Sequence, residues 1–202
     1  MLDTLHSKFL IRVAKAARVS RDVIKDIDYW KERYAPPDEI KSADAIWWYF
    51  RRIPEFRSIY YYRTRKGGAR VQLIVRVLRI MYPSLVHLYI HTSKIGGGLF
   101  IQHGHSTQIV AKSIGERCQI NQNVTIGYGS IEPDSNPTIG NNVRIHTGAI
   151  IFGNIVIGDG AWIGAGSVVN RNVPENSVVV GNPGRIVRLN GRKVDLPLGH
   201  YE

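Results

Sequence analysis

Six aliphatic positions, Ile139, Ile145, Ile151, Ile157, Ile163 and Val169, follow one another at a constant spacing of six. A helix repeats its apolar face every 3.6 residues and a half-buried strand every 2, so an unbroken six marks a repeat unit and not a single element. The same beat sounds upstream in shifted phase, at Ile95 and Ile101 and again at Ile114, Ile120 and Ile126. The residue after the aliphatic is often Gly (Gly96, Gly115, Gly127, Gly140, Gly158, Gly164), and the position four after it is small or β-branched in most units: Val124, Ser130, Val143, Ala149, Ala161 and Ser167. Each unit therefore reads as a short strand with one inward side chain and a tight corner at the Gly. No unit can bury its aliphatic alone, so the coils must stack into a parallel β-helix. An antiparallel sandwich would need turn signals every 8 to 12 residues and gives no strict six.

Ahead of the repeats the pattern is helical. Residues 1 to about 34 carry an approximate apolar stripe (Leu10, Ile11, Ala14, Ala17, Val19, Ile24) that Pro36 and Pro37 end. A second block runs from about Ser42 to Ile59, is broken near Pro54 and is rich in aromatics, and a third spans Arg70 to Met81 between Gly67-Gly68 and Pro83. The expected fold class is α+β: a helical domain over 1–86, a β-helix over 87–189 and a C-terminal tail over 190–202.

The repeat fails twice. Ile101 to Ile114 and Ile126 to Ile139 are each 13 residues apart, two units plus one residue, which a bulge or a small loop would explain. The first break holds His103 and His105 and the second holds Tyr128 to Pro137. Loops on a rigid scaffold are where function concentrates.

Charge changes the picture only for the front of the chain. Of the net +11, residues 1–86 carry +9 (18 basic, 9 acidic) and residues 87–202 carry +2 (9 basic, 7 acidic). Such a patch suits nucleic acid, an anionic membrane surface or a phosphorylated substrate. No nucleic-acid motif accompanies it. The helix carrying Lys8, Arg12, Lys15, Arg18 and Arg21 offers peripheral membrane contact or a solvated packing face. No run approaches the roughly 18 apolar residues of a membrane span, and no signal-peptide pattern opens the chain, so a cytoplasmic protein is expected. The one cysteine, Cys118, stands at a small-residue position of the repeat and reads as packing.

His103 and His105, on a rigid coil beside a break, are alternative general bases. His91, His103, His105 and His146 lack the spacing and the carboxylates of a metal site, so no metal is expected.

The stretches Ile90-His-Thr-Ser-Lys-Ile-Gly96, Leu99-Phe-Ile-Gln-His103, Val124-Thr-Ile-Gly127, Asn136-Pro-Thr-Ile-Gly140, Gly153-Asn-Ile155, Ile163-Gly-Ala-Gly-Ser-Val-Val169 and Val178-Val-Val-Gly-Asn-Pro-Gly-Arg-Ile186 resemble the left-handed β-helix acetyltransferases of the hexapeptide-repeat superfamily, most closely their serine acetyltransferase-like branch. The resemblance covers about half the chain. It implies a left-handed β-helix and direct acetyl transfer from acetyl-CoA to a hydroxyl, with His103 as the base. It further implies a homotrimer, or a dimer of trimers, that binds CoA between neighbouring β-helices. Thr147, Gly148, Ala165 and Gly166 match positions along the pantetheine arm, and Arg171 and Arg185 match basic residues at the nucleotide phosphates.

The departures fall at the acceptor. Tyr89 and Gln102 stand where serine acetyltransferases carry aspartates, and Asp134-Ser-Asn-Pro137 replaces their Asp-Arg-His-Pro. With Tyr89, Gln102, His105, Asp134 and Asn136 around the acceptor, the loss of charge favours a neutral sugar hydroxyl, as in capsule, lipopolysaccharide or exopolysaccharide precursors. The alternatives are serine O-acetylation in cysteine biosynthesis and a non-catalytic trimeric scaffold or membrane-docking protein.

Overall fold

The computed structural model describes residues 2–41, 44–131 and 135–199. They form two compact units, residues 1–86 and 87–202.

The first unit is five helices: α1 (Leu2–Ala16), α2 (Ser20–Arg33), α3 (Ala45–Arg52), α4 (Pro54–Thr64) and α5 (Ala69–Met81). The single helix expected to residue 34 is two, because the chain turns at Arg18, whose φ is +60°. Pro54 starts α4 at a position where its missing N–H costs nothing. Every residue of α4 from Glu55 to Thr64 is buried. Its Phe56, Tyr60 and Tyr61 pack with Trp30, Tyr49 and Phe50 of the neighbouring helices, with edge-to-face contacts such as Trp30–Phe56 and Phe50–Tyr60. Three buried phenols find carbonyls: Tyr49 donates to Tyr34, Tyr60 to Leu10 and Tyr61 to Tyr82, each at 2.8 Å. Arg57 donates to the Phe50 carbonyl (2.7 Å) and the Arg51 carbonyl (3.2 Å), closing the C-terminus of α3.

The second unit is the expected left-handed parallel β-helix, with three faces. The first face stacks β1 (Leu88–Ile90), β3 (Thr107–Ile109), β6 (Thr125–Gly127), β9 (Ile150–Phe152) and β12 (Val168–Val169). The second stacks β4 (Ser113–Ile114), β7 (Thr138–Ile139) and β10 (Val156–Ile157), extended by single bridges at Ile95 and Val173. The third stacks β2 (Phe100–Gln102), β5 (Gln119–Asn121), β8 (Arg144–Ile145), β11 (Trp162–Ile163) and β13 (Ser177–Val180). The sextet of aliphatics therefore turns the corner at each step, and residues one full coil apart are the ones in contact. Ile145 pairs with Ile163, and Ile151 with Val169. Columns such as Ile120, Ile145, Ile163 and Val179 are 0 % exposed, and burying each such side chain stabilises the coil by about 1.5–3 kcal/mol.

The first break is two units plus one residue, as expected, and the second is a single unit plus a longer loop. In the first, Ile109 supplies the missing inward residue of the first face, eight after Ile101 and five before Ile114, so the extra length sits at His103–Ser106. In the second, Ile126 on the first face is followed directly by Ile139 on the second, and the additional residues leave the coil as a loop. Residues 132–134 of that loop lie outside the described residues.

The Gly after the aliphatic also has another role than a corner. A Cβ on Gly115 would lie 2.6 Å from the Gly140 carbonyl oxygen, and one on Gly158 would lie 2.5 Å from the Glu175 nitrogen. These positions are empty because the next coil passes there. The left-handed turn falls two residues later, at Gly98, Arg117, Asn142 and Gly160, all with positive φ, and again at Asn176, two after Pro174. Residues Arg192–Pro197, read from sequence as tail, form β15, which pairs with β14 (Arg185–Leu189) in an antiparallel hairpin on β13.

Candidate functional site

The corner between the third face and the first gathers most of the residues singled out by pattern. In successive coils it holds His103-Gly104-His105, Gln122-Asn123, Thr147-Gly148 and Ala165-Gly166. Backbone hydrogen bonds run up the edge: Asn123 N–H donates to His105 O (2.9 Å), Gly148 N–H to Gln122 O (3.1 Å) and Gly166 N–H to Thr147 O (2.9 Å). With strands stacked about 4.8 Å apart, His103 stands roughly 10 to 15 Å along the edge from the two glycines.

His103 takes a φ of +54°, and its carbonyl accepts the N–H of His105, a tight turn that pushes both imidazoles outward. Both histidines are exposed. Among the described residues no side chain hydrogen-bonds the His103 ring. Its neighbours are amides: Gln119 Nε2 donates to Gln102 Oε1 (3.4 Å) and to Asn121 Oδ1 (3.1 Å). Because the Gln102 oxygen is engaged, its NH2 is the group left to donate. Gln119 and Asn121 were not singled out from sequence. Their signal is positional, one residue either side of Ile120 and in register with Phe100 and Gln102.

Gly148 and Gly166 adopt φ of +71° and +65°. A Cβ on Gly166 would meet nothing within 4 Å, and one on Gly148 would approach no closer than 3.8 Å, to Gly166. The edge beside Thr147 and Ala165 is therefore an open strip of backbone.

The remaining residues lie elsewhere. Tyr89 is on the first face, 47 % exposed and stacked on His91 at 6.4 Å. Together with Gln108 and Val110 they line a cavity of about 170 Å³. Asn136 and Ser135 are buried in the loop leaving the corner between the first and second faces, where Ser135 Oγ donates to the Ser130 carbonyl (2.8 Å). Asp134 lies outside the described residues. Arg171 follows β12, at that same first-to-second corner, beside Gly199. Arg185 is on β14, where Nη2 meets Asp195 Oδ1 at 2.7 Å. One protomer thus brings His103, His105 and Gln102 into line with Thr147, Gly148, Ala165 and Gly166, and holds Tyr89, Asn136, Arg171 and Arg185 away from that edge. No group of three or more His, Cys, Asp or Glu that could hold a metal occurs among the described residues.

No protein-family model matches the chain. It is 42% identical over 136 residues to the serine acetyltransferase of Synechococcus elongatus, an alignment covering 66% of this chain and 55% of that protein. The crystal structure of Neisseria gonorrhoeae serine acetyltransferase superposes with a TM-score of 0.68 at 28% identity, covering 91% of this chain and 70% of that one. A serine acetyltransferase in complex with CoA gives a TM-score of 0.61 at 28% identity, covering 83% and 69%. The chain spans little more than half the length of the Synechococcus relative and 63% of the Bacillus subtilis one. In sequence and fold it is similar to serine acetyltransferases of the hexapeptide-repeat type.

These relatives overturn the expected sugar or polysaccharide acceptor: they are named for serine. The inference from lost charge fails for a physical reason. A carboxylate can also accept from neutral amide N–H donors, so lost cations do not exclude it, and the NH2 of Gln102 is available to donate.

Proposed function

We propose that this serine acetyltransferase-like chain transfers the acetyl group of acetyl-CoA to the hydroxyl of serine. The observation that carries the reading is the shared edge: an exposed histidine at one end and an open strip of glycine backbone at the other, on consecutive coils. The pantetheine arm lies along Thr147, Gly148, Ala165 and Gly166, bringing the thioester to His103. There the imidazole takes the proton of the serine hydroxyl as its oxygen attacks the thioester carbonyl, forming the new C–O bond. The C–S bond then breaks, and CoA leaves as a thiolate that recovers the proton from the imidazolium. Such a base contributes about 10² to 10⁴ in rate. Gln102 donates to the serine carboxylate.

The assembly proposed is a homotrimer in a soluble, cytoplasmic setting. Asn136 and Arg171 sit at the first-to-second corner and His103 at the third-to-first corner, so the two edges flank one face. A three-fold arrangement sets the first of these edges from one copy against the second from its neighbour, where Arg171 and Arg185 would meet the nucleotide phosphates.

The test is thiol release by the purified chain with acetyl-CoA and L-serine, paired with rescue of a serine-acetyltransferase-deficient strain on cysteine-free medium. Serine-dependent release and growth support the proposal. Release that is unchanged by serine, with no growth, overturns it.

A further inference from the structure

Helix α5 is apolar on two opposite sides. Val71, Val75 and Leu78 are buried within the helical unit, while Leu73, Val77, Ile80 and Met81 are 63 %, 50 %, 80 % and 62 % exposed. At 100° per residue the exposed four form one stripe, turned about 140° from the buried three. A helix apolar all round is normally covered on both sides. The stripe is bordered by Arg70 and Arg76, both exposed and without an ion-pair partner among the described residues, and Lys66 and Val86 are exposed close by in sequence. No Asp or Glu occurs anywhere from Phe56 to Gly115, a stretch that carries Arg57, Arg63, Arg65, Lys66, Arg70, Arg76, Arg79, Lys94 and Lys112.

We infer that the outer face of α5 docks on an anionic lipid surface, with Leu73, Val77, Ile80 and Met81 entering the acyl boundary and Arg70 and Arg76 meeting the phosphate headgroups. Charge decides the occupant. A second copy packed α5 on α5 would set arginine against arginine with no carboxylate in the helix to offset them, whereas an anionic bilayer complements the border and accepts the stripe. The basic helix α1, the expected membrane element, is less suited: it buries Leu10, Val13 and Ala14 and leaves only Leu5 and Phe9 as exposed large hydrophobics among its described side chains. None of the described helices is long and apolar enough to cross a membrane, so this is attachment in the plane of the interface.

The full chain is to be co-sedimented with vesicles of phosphatidylcholine alone and of phosphatidylcholine mixed three to one with phosphatidylglycerol, at low and at tenfold higher salt. Binding to the anionic vesicles, weakened by salt and absent from the neutral ones, is expected. The double variant Leu73→Ser, Ile80→Ser and the double variant Arg70→Glu, Arg76→Glu should each reduce the bound fraction at least tenfold with an unchanged melting temperature, since all four side chains are exposed. Equal binding of wild type to both vesicles, or no binding to either, overturns the inference. So does a smaller particle in sedimentation velocity for the Leu73→Ser, Ile80→Ser variant, which would make the stripe a contact between copies. Serine-dependent thiol release is measured in parallel without lipid, so the docking surface and the acetyl-transfer reading fail independently.

Discussion

Gly148 sits directly over Gly166, one coil apart on the corner that also holds His103: a Cβ on Gly148 would be 3.8 Å from the Gly166 nitrogen, and both residues have positive φ. Backbone strain and access are therefore separable at this edge. Gly166→Ala meets no atom within 4 Å, so its cost to the fold is the left-handed conformation alone, about 1–2 kcal/mol. The new methyl projects into the strip assigned to the pantetheine arm. The expected outcome is a KM for acetyl-CoA raised tenfold or more with the KM for serine unchanged, read from initial rates. Equal increases in both would remove the strip from the cofactor site.

His103 and His105 are both exposed on one turn, and only function distinguishes them. His103→Ala should lower kcat by about 10² to 10⁴ with an unchanged melting temperature, the range of a lost general base. His105→Ala should cost less than tenfold, because its backbone carbonyl, not its ring, ties the turn to Asn123. The reverse ranking in steady-state kinetics moves the base to His105.

The β-helix was legible because its inward positions are aliphatic and its period matches no single element. What the sequence hid was bookkept by geometry instead of by residue type. Ile109 is an ordinary core isoleucine, but it stands eight after Ile101 and five before Ile114, so a strict spacing of six does not point to it. Arg117 occupies a left-handed corner that pattern would assign to Gly or Asn, so the corner ladder was misplaced onto the glycines that only make room for the next coil. His103 was found from its break, and the glycines of the cofactor strip from resemblance. Their common edge could not be seen, because residues 103, 148 and 166 become neighbours only once each coil has returned to the same corner. Gln119 was missed since an outward glutamine on a strand carries no signal until its partner Gln102 is placed on the adjoining coil.

The helical unit holds a buried ion pair whose removal should be costly. Arg63 Nε and Nη2 donate to the two oxygens of Asp26, both at 2.9 Å, with the two side chains 3 % and 2 % exposed. Burial disfavours the guanidinium charge, and Asp26 outweighs that effect, so Arg63 is held protonated. Asp26→Ala leaves that charge buried without its partner and should destabilise the unit by about 3–5 kcal/mol. The double variant Asp26→Leu, Arg63→Met should recover most of the loss. Urea unfolding of the three proteins checks this, and equal loss in the single and double variants would show that packing, and not charge pairing, governs the site.

Cys118 gives a pH dependence of defined sign. The thiol is buried, donates to the Gly140 carbonyl (3.1 Å), and burial pushes its pKa up to about 12, well above that of a free thiol. Below pH 9 the thiol is protonated in the folded and the unfolded chain alike, so it adds no pH dependence. Between about 9 and 12 the unfolded chain releases the proton and the folded chain keeps it. The folded state then binds more protons, and stability falls as pH rises, by up to about 1.4 kcal/mol per pH unit from this group. Tyr49, Tyr60 and Tyr61, whose pKa values burial also raises, add slopes of the same sign at higher pH. The contribution of Cys118 is therefore isolated by difference. Cys118→Ala loses stability to the smaller side chain at every pH, and its deficit should shrink as pH rises from 9 to 11, because the variant has no thiol to ionise on unfolding. Urea midpoints for both proteins across that range measure the change. A deficit that stays constant would mean that the folded thiol ionises as freely as the unfolded one, against its burial.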